Sequence, residues 1–140
     1  MGTPSTDFEE AMVAYLLADS TLMASALGVY TNLAPPDRAE PYVAILLQPG
    51  ATDHHCMSGN NNRSTLNYEI SGVTKTPDLS IVRPIADRLE TLLDSYRMDT
   101  TSCYARIIRR SDVERQNTLM GSTRYTRLGA IWRVELSIKF

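Results

Sequence analysis

The sequence predicts an α+β fold: a mostly antiparallel sheet of about four to five strands, with two main helices packed on one face. Three observations carry this expectation. In "PDLSIVRPIADRLETLLDSY" the residues Leu79, Val82, Ile85, Leu89, Leu92, Leu93 and Tyr96 share one helical stripe, while Asp87, Arg88, Glu90 and Asp94 lie off it. From Leu128 onward Ala130, Trp132, Val134, Leu136, Ile138 and Phe140 alternate with a largely polar set, the period of a strand with one face on a core. The signals run helix, two or three strands, helix, two strands, without internal repeats or low-complexity runs.

The elements follow in order. Thr6 is the expected N-cap of a first helix, with Glu9 three residues on and acids in the first turn. Phe8, Ala11, Met12, Tyr15, Leu16 and Ala18 keep helical spacing to about Asp19. Ser20 is expected to cap a second short turn, "TLMASAL", which Gly28 closes. "VYTNLAPPDRAEP" reads as a short strand and a loop stiffened by Pro35, Pro36 and Pro41. "YVAILLQ" is apolar on both faces, as a central strand covered on both sides would be. In "LNYEISGVTK" the residues Leu66, Tyr68 and Ile70 face one way and Asn67, Glu69 and Ser71 the other, which predicts a half-buried strand. Pro84 lacks an N–H to donate, so the long helix is expected to begin or bend near it. "CYARIIRR" is the expected partner of the last strand, joined to it through a polar connection, "SDVERQNTLMGST".

A chain of 140 residues fits one domain, expected over 1–140, with a long flexible loop at 50–63. That loop overlaps "TDHHCMSGNNNRST", residues 52–65, which holds both histidines and one of the two cysteines. Asp53, His54, His55 and Cys56 are each able to bind zinc, but structural sites use ligand pairs two to four residues apart plus a second pair elsewhere. A Cys56 nucleophile with a histidine base would need a third group to orient it. The plainer expectation is a polar strand-to-strand loop, long enough to order against a partner. No Gly-rich phosphate loop, paired-carboxylate motif or G-x-S-x-G elbow appears.

The apolar run Tyr42 to Leu47 falls far short of a membrane span, and the acidic N-terminus has no secretory pattern. Cys56 and Cys103 are accordingly expected as thiols. The net charge of −2 conceals an asymmetry: residues 1–96 carry 5 Lys/Arg against 12 Asp/Glu, and residues 97–140 carry 9 against 4. An acidic part joined to a basic part suggests either self-association or neutralisation within one fold. Sequence-specific nucleic-acid recognition is not expected at a pI near 5.6 with few aromatics among the arginines.

In succession, "LLADSTLMASALG", "VYTNLAPPDRAEPYVAI", "NYEISGVTKTPDLSIVRPIADRLETLL" and "GSTRYTRLGAIWRVELSI" resemble the tail terminator and tail completion (tail-to-head joining) proteins of long-tailed bacteriophages. The resemblance covers most of the chain and rests on the order and spacing of these segments; the His-His-Cys loop departs from it. It implies a structural virion protein of the tail or neck, present in host cytoplasm during assembly. Such a protein forms a ring, usually hexameric, that caps the tail tube and meets the head connector. DNA is involved only by passage through the lumen, and no cofactor, metal, membrane or catalysis is implied. Arg106, Arg109, Arg110, Arg115, Arg124, Arg127 and Arg133 are then candidates for the subunit interface. Asp53, His54, His55, Asn61 and Arg63 are candidates for loop contacts to a neighbour or to the tube. A head-completion or neck protein is the nearest alternative. From other classes come a small metal- or thiol-dependent enzyme using His54, His55 and Cys56, and a ligand-binding domain that dimerises through its sheet.

Overall fold

The first helix, α1 (Pro4–Leu17), buries Phe8, Met12 and Leu16 completely, as residues four apart on one face should be. It begins two residues before the expected cap, because Pro4 in a first turn sacrifices an N–H that has no helical partner anyway; Thr6 is therefore inside the helix. The structure, a computed structural model, describes residues 4–31, 41–48, 53–54, 63–75, 79–100, 103–120 and 123–138. At 4, 5, 53, 54, 63, 64, 109–120, 123, 124 and 138 the description is of the backbone.

The second helix, α2 (Ser20–Met23), is capped by Asp19 rather than Ser20: the Asp19 carboxylate accepts from the Leu22 N–H at 2.8 Å. The same carboxylate takes Nε and Nη2 of Arg88, both at 2.9 Å, on the third helix, α3 (Arg83–Leu93). This forked contact ties the α1–α2 corner to α3. The Arg88 guanidinium beside Asp19 holds its carboxyl below the usual range, with the Leu22 N–H acting in the same direction against partial desolvation. Tyr15 stacks on Tyr96 with ring centroids 4.1 Å apart and donates its hydroxyl to the Leu92 carbonyl at 3.1 Å. Helix α3 starts at Arg83 with Pro84 in its first turn, and it buries Ile85, Leu89 and Leu93. It ends before Tyr96, because Ser95 turns at φ 58°, in the left-handed region.

Among the described residues seven strands form one sheet: β1 (Val29–Tyr30), β2 (Tyr42–Leu47), β3 (Asp53–His54), β4 (Arg63–Thr74), β5 (Arg97–Asp99), β6 (Cys103–Met120) and β7 (Thr123–Ile138). The order is β1-β2-β4-β7-β6-β5, with β3 on β4 as well, and only β1–β2 is parallel. The α+β class and the helices on one face are as expected, β1 is the short strand expected at Val29, and the strands exceed the expected number by the short β3 and β5. Strand β5 was hidden by the helical stripe that runs on to Tyr96. More telling is β6, which continues through the polar stretch expected to be a connection. It does so with register shifts between Arg109 and Ser111 and between Val113 and Gln116, each an extra residue against β7. An inserted residue breaks the two-residue period, so this strand carries no readable alternation.

One face of the sheet packs on all three helices. Val43, Ile45, Tyr68, Ile70, Ala105, Ile107, Ala130, Trp132, Val134 and Leu136 join the helical residues in one core. The other face has a smaller cluster of Tyr42, Ala44, Val73 and Tyr125, with Tyr30 edge-on to Tyr42 at 5.3 Å. Both faces of β2 are thus covered along Tyr42–Ile45, as expected. Strand β4 departs from the half-buried expectation, because Thr65, Asn67, Glu69 and Ser71 on its second face are buried too. Among the described residues no helix is long and apolar enough to cross a membrane.

Strands β4 and β7 approach closely at Gly129, opposite Ser71. A Cβ there would stand 2.4 Å from the Ile70 carbonyl oxygen and 2.6 Å from the Ser71 Cα, both backbone atoms that cannot step aside. Gly129→Ala is expected to cost ~3 kcal/mol or more in urea unfolding. Gly28→Ala, whose new methyl would meet only the movable Tyr30 ring at 3.0 Å, should cost under ~1 kcal/mol.

The Asp19–Arg88 contact predicts a pH signature. A carboxyl whose folded pKa is depressed contributes stability above its unfolded value of ~3.9 and loses it as pH falls through the folded value. Unfolding measured across pH 2 to 6 (a range set by the ~3.9 reference) should show a shallower acid decline for Asp19→Asn than for the wild type. Parallel curves would mean that the contact contributes nothing.

Candidate functional site

The face of the sheet turned away from the helices carries the charges that the two main cores do not use. By register one cross-strand row runs Asp53, Thr65, Glu135, Arg106, Arg97, from β3 through β4, β7 and β6 to the edge strand β5. Acidic positions fall toward one end of the row and two arginines sit at the other. Arg97 and Arg106 are directly opposed, a like-charge pair that destabilises unless an anion offsets it. Both are exposed, and among the described residues neither has an ion-pair partner. With Tyr104, 56% exposed, and with Ala105, Glu135 and Ser137, they line a shallow groove of about 410 Å³.

Further along the same face the charge is consumed internally. Arg127, paired in register with Val73, reaches across the Ser71–Gly129 row and donates from Nη1 to Oε2 of Glu69. Gly129, without a side chain, leaves that path open. The Ser71 hydroxyl donates to the same carboxylate oxygen at 3.1 Å. Both members of the ion pair are largely buried. Around them the Thr65 Oγ1, Asn67 Oδ1, Tyr125 hydroxyl and Arg127 Nε are buried without hydrogen-bond partners among the described residues, as is the Trp132 Nε1 on the helix face. Buried polar atoms of this kind ordinarily find a partner in the protein or in ordered water.

A second groove, of about 370 Å³, lies beside edge strand β1 and is lined by Thr6, Glu9, Glu10, Val13 and Thr31. Glu9 is anchored there by the Tyr68 hydroxyl, which donates to its Oε2 at 3.0 Å. Burial first, and the adjacent Glu9 carboxylate second, push that phenol far above its ordinary pKa, so it stays a donor at any physiological pH.

The sequence-derived candidates are placed as follows. Arg106 and Arg133 are exposed on β6 and β7. Arg109, Arg110 and Arg115 lie along β6, with Arg110 and Arg115 at its two register shifts, and Arg124 lies opposite Leu119 at the start of β7. Arg127 is held within the subunit. Asp53 and His54 form β3, opposite Thr65 and Ser64, and Arg63 begins β4 opposite Ser137. His55, Cys56 and Asn61 lie outside the described residues. Cys103 is a buried thiol, its Sγ 3.1 Å from the Thr100 hydroxyl. Among the described residues no three His, Cys, Asp or Glu gather as a metal site. Arg97 and Glu10 were not singled out from the sequence. Only the strand register shows Arg97 facing a second arginine.

Removing Arg127 should be costly, because Glu69 would keep a buried charge without its counter-ion. Arg127→Met is expected to lose ~3–5 kcal/mol in denaturant unfolding, and adding Glu69→Gln should recover part of it. A double variant no more stable than Arg127→Met would show that the arginine acts by packing alone.

Comparison with known proteins adds four findings. A solved chain from the virion of a native gene transfer agent particle has a similar fold, with TM-score 0.66 and 17% identity over 98% of this chain and 99% of that one. A second solved chain, 18% identical, matches at TM-score 0.54 over 97% of this chain and 93% of its own length. No protein with a curated description matches. The model of the family "Tail completion protein gp17" matches residues 10–140, and the chain belongs to this family of structural tail proteins of the virion.

Proposed function

We propose that the chain is one subunit of a hexameric ring that caps the tail tube and joins it to the head connector. Its work is contact and not catalysis, and it uses no cofactor. The observation that carries this reading is the family match over residues 10–140. The similarity to a chain of a gene transfer agent virion along nearly the whole length supports it.

The partners are further copies of the chain, the tail tube protein and the head–tail connector protein, with DNA passing through the lumen. The β6–β7 hairpin supplies the basic contacts. Arg106 and Arg133 are exposed on it, and Arg109, Arg110, Arg115 and Arg124 are distributed along it. Arg127 contributes differently, by holding β7 to β4 through Glu69. The loop side, with Asp53 and His54 on β3, Arg63 on β4, and His55 and Asn61 between them in sequence, meets a neighbour or the tube. A standard interface takes ~20 residues a side, so arginines and loop act together.

Electron microscopy of particles made without this gene tests the reading. Filled heads without tails, beside loose or overlong tubes, are expected, and supplying the gene should restore tailed particles. Normal tailed particles in its absence would overturn the proposal.

A further inference from the structure

We infer that the Arg97–Arg106 groove at edge strand β5 receives the acidic α1 rim, Glu9 and Glu10, of a second copy of the chain. The inference rests on the ring reading above and specifies which surfaces meet. Four observations lead to it.

The first is an uncompensated charge. Arg97 and Arg106 face each other across β5 and β6, and Glu135 is the one acid in their row on the adjoining strand. No ion pair within the subunit offsets them among the described residues. Two opposed guanidinium groups on an exposed groove are stabilised by a carboxylate pair more than by a single carboxylate, since each offers a bidentate fork. The second is the matching surface. Glu9 and Glu10 are consecutive on α1, and Glu9 is held in place by the Tyr68 hydroxyl, so its position is set before any partner arrives. The third is shape and polarity. Each groove also carries an apolar body: Tyr104 on the basic side and Val13 on the acidic side.

The fourth observation is placement. The basic groove is at β5 and the acidic groove beside β1, the two ends of the strand order. One copy therefore offers its basic end while its acidic end remains available to another. That is a head-to-tail contact, which repeats and, with the right rotation, closes on itself.

The test is a charge exchange in the particle itself. Particles lacking the gene are supplied with the wild-type chain, with Arg97→Glu plus Arg106→Glu, with Glu10→Arg, or with all three substitutions together. Circular dichroism on each purified chain checks that it is folded. Each partial variant should lower the yield of tailed particles at least ~10-fold through like-charge juxtaposition, and the combined variant should restore most of it. Wild-type yield from Arg97→Glu plus Arg106→Glu, or a combined variant as defective as its parents, overturns the inference and leaves the ring reading standing. Failure of the wild-type chain to restore tails overturns the ring reading. If the glutamates unfold the chain, Arg97→Gln plus Arg106→Gln replaces them, with a partial loss expected and full yield counting against the contact.

Discussion

The pairing of β4 with β7 is the constraint on which the rest of the structure depends. It runs unbroken from Arg63 opposite Ser137 to Thr74 opposite Thr126, and it places the largest core side chains side by side. On the helix face Tyr68 stands opposite Trp132 and Ile70 opposite Ala130, giving α1 and α3 a broad apolar surface to bury. On the other face the same register brings Glu69 and Arg127 within hydrogen-bonding reach across a row that Gly129 leaves empty. A slip of one residue would exchange these two sets, burying charge against the helices and turning Trp132 outward. The register is therefore specified from both sides at once.

Everything outward follows from that spine. Strands β2 and β1 extend it on one side, and β6 and β5 on the other. The bulged β6 follows β7 along almost its whole length while departing from strict alternation at its two register shifts. The helices are gathered on one face by Asp19, which caps α2 and grips Arg88, and by Tyr15, which lies on Tyr96 and bonds to the end of α3. The opposite face is left to charges and unfinished hydrogen bonds. Both faces therefore contribute to stability, the helix face through the main core and the other through the Tyr42 cluster and the buried Glu69–Arg127 pair.

The division of charge along the sequence acquires a spatial meaning in this arrangement. The basic C-terminal part is not spread evenly, since Arg127 is neutralised inside the subunit while Arg97 and Arg106 face each other at an edge. The acidic first part likewise divides. Asp19 and Glu69 serve internal contacts, and Glu10 remains on the exposed side of α1. Counting charges in the sequence predicts attraction between the two parts, but only the pairing of strands separates charges already spent from those left over.

By itself the sequence determined the class of fold, the stripe of α3, the covered strand β2, the alternation of β7 and the likeness to phage tail completion proteins. Each is written in local periodicity or in the order of segments, and neither needs distant residues to be read. Tertiary structure decided the rest. Glu69 and Ser71 look solvent-facing in an alternating strand, yet they are buried, because Arg127, 58 positions away, reaches Glu69. The cap of α2 belongs to Asp19 because Arg88, 69 positions away, fixes its carboxylate. Strand β6 passes through a polar stretch because β7 supplies its hydrogen bonds whatever its side chains. The opposition of Arg97 to Arg106 exists only in the register of β5 on β6. Periodicity reports which face of an element is apolar; which partner meets that face, and which charge is left without one, is settled by contacts between residues far apart in the chain.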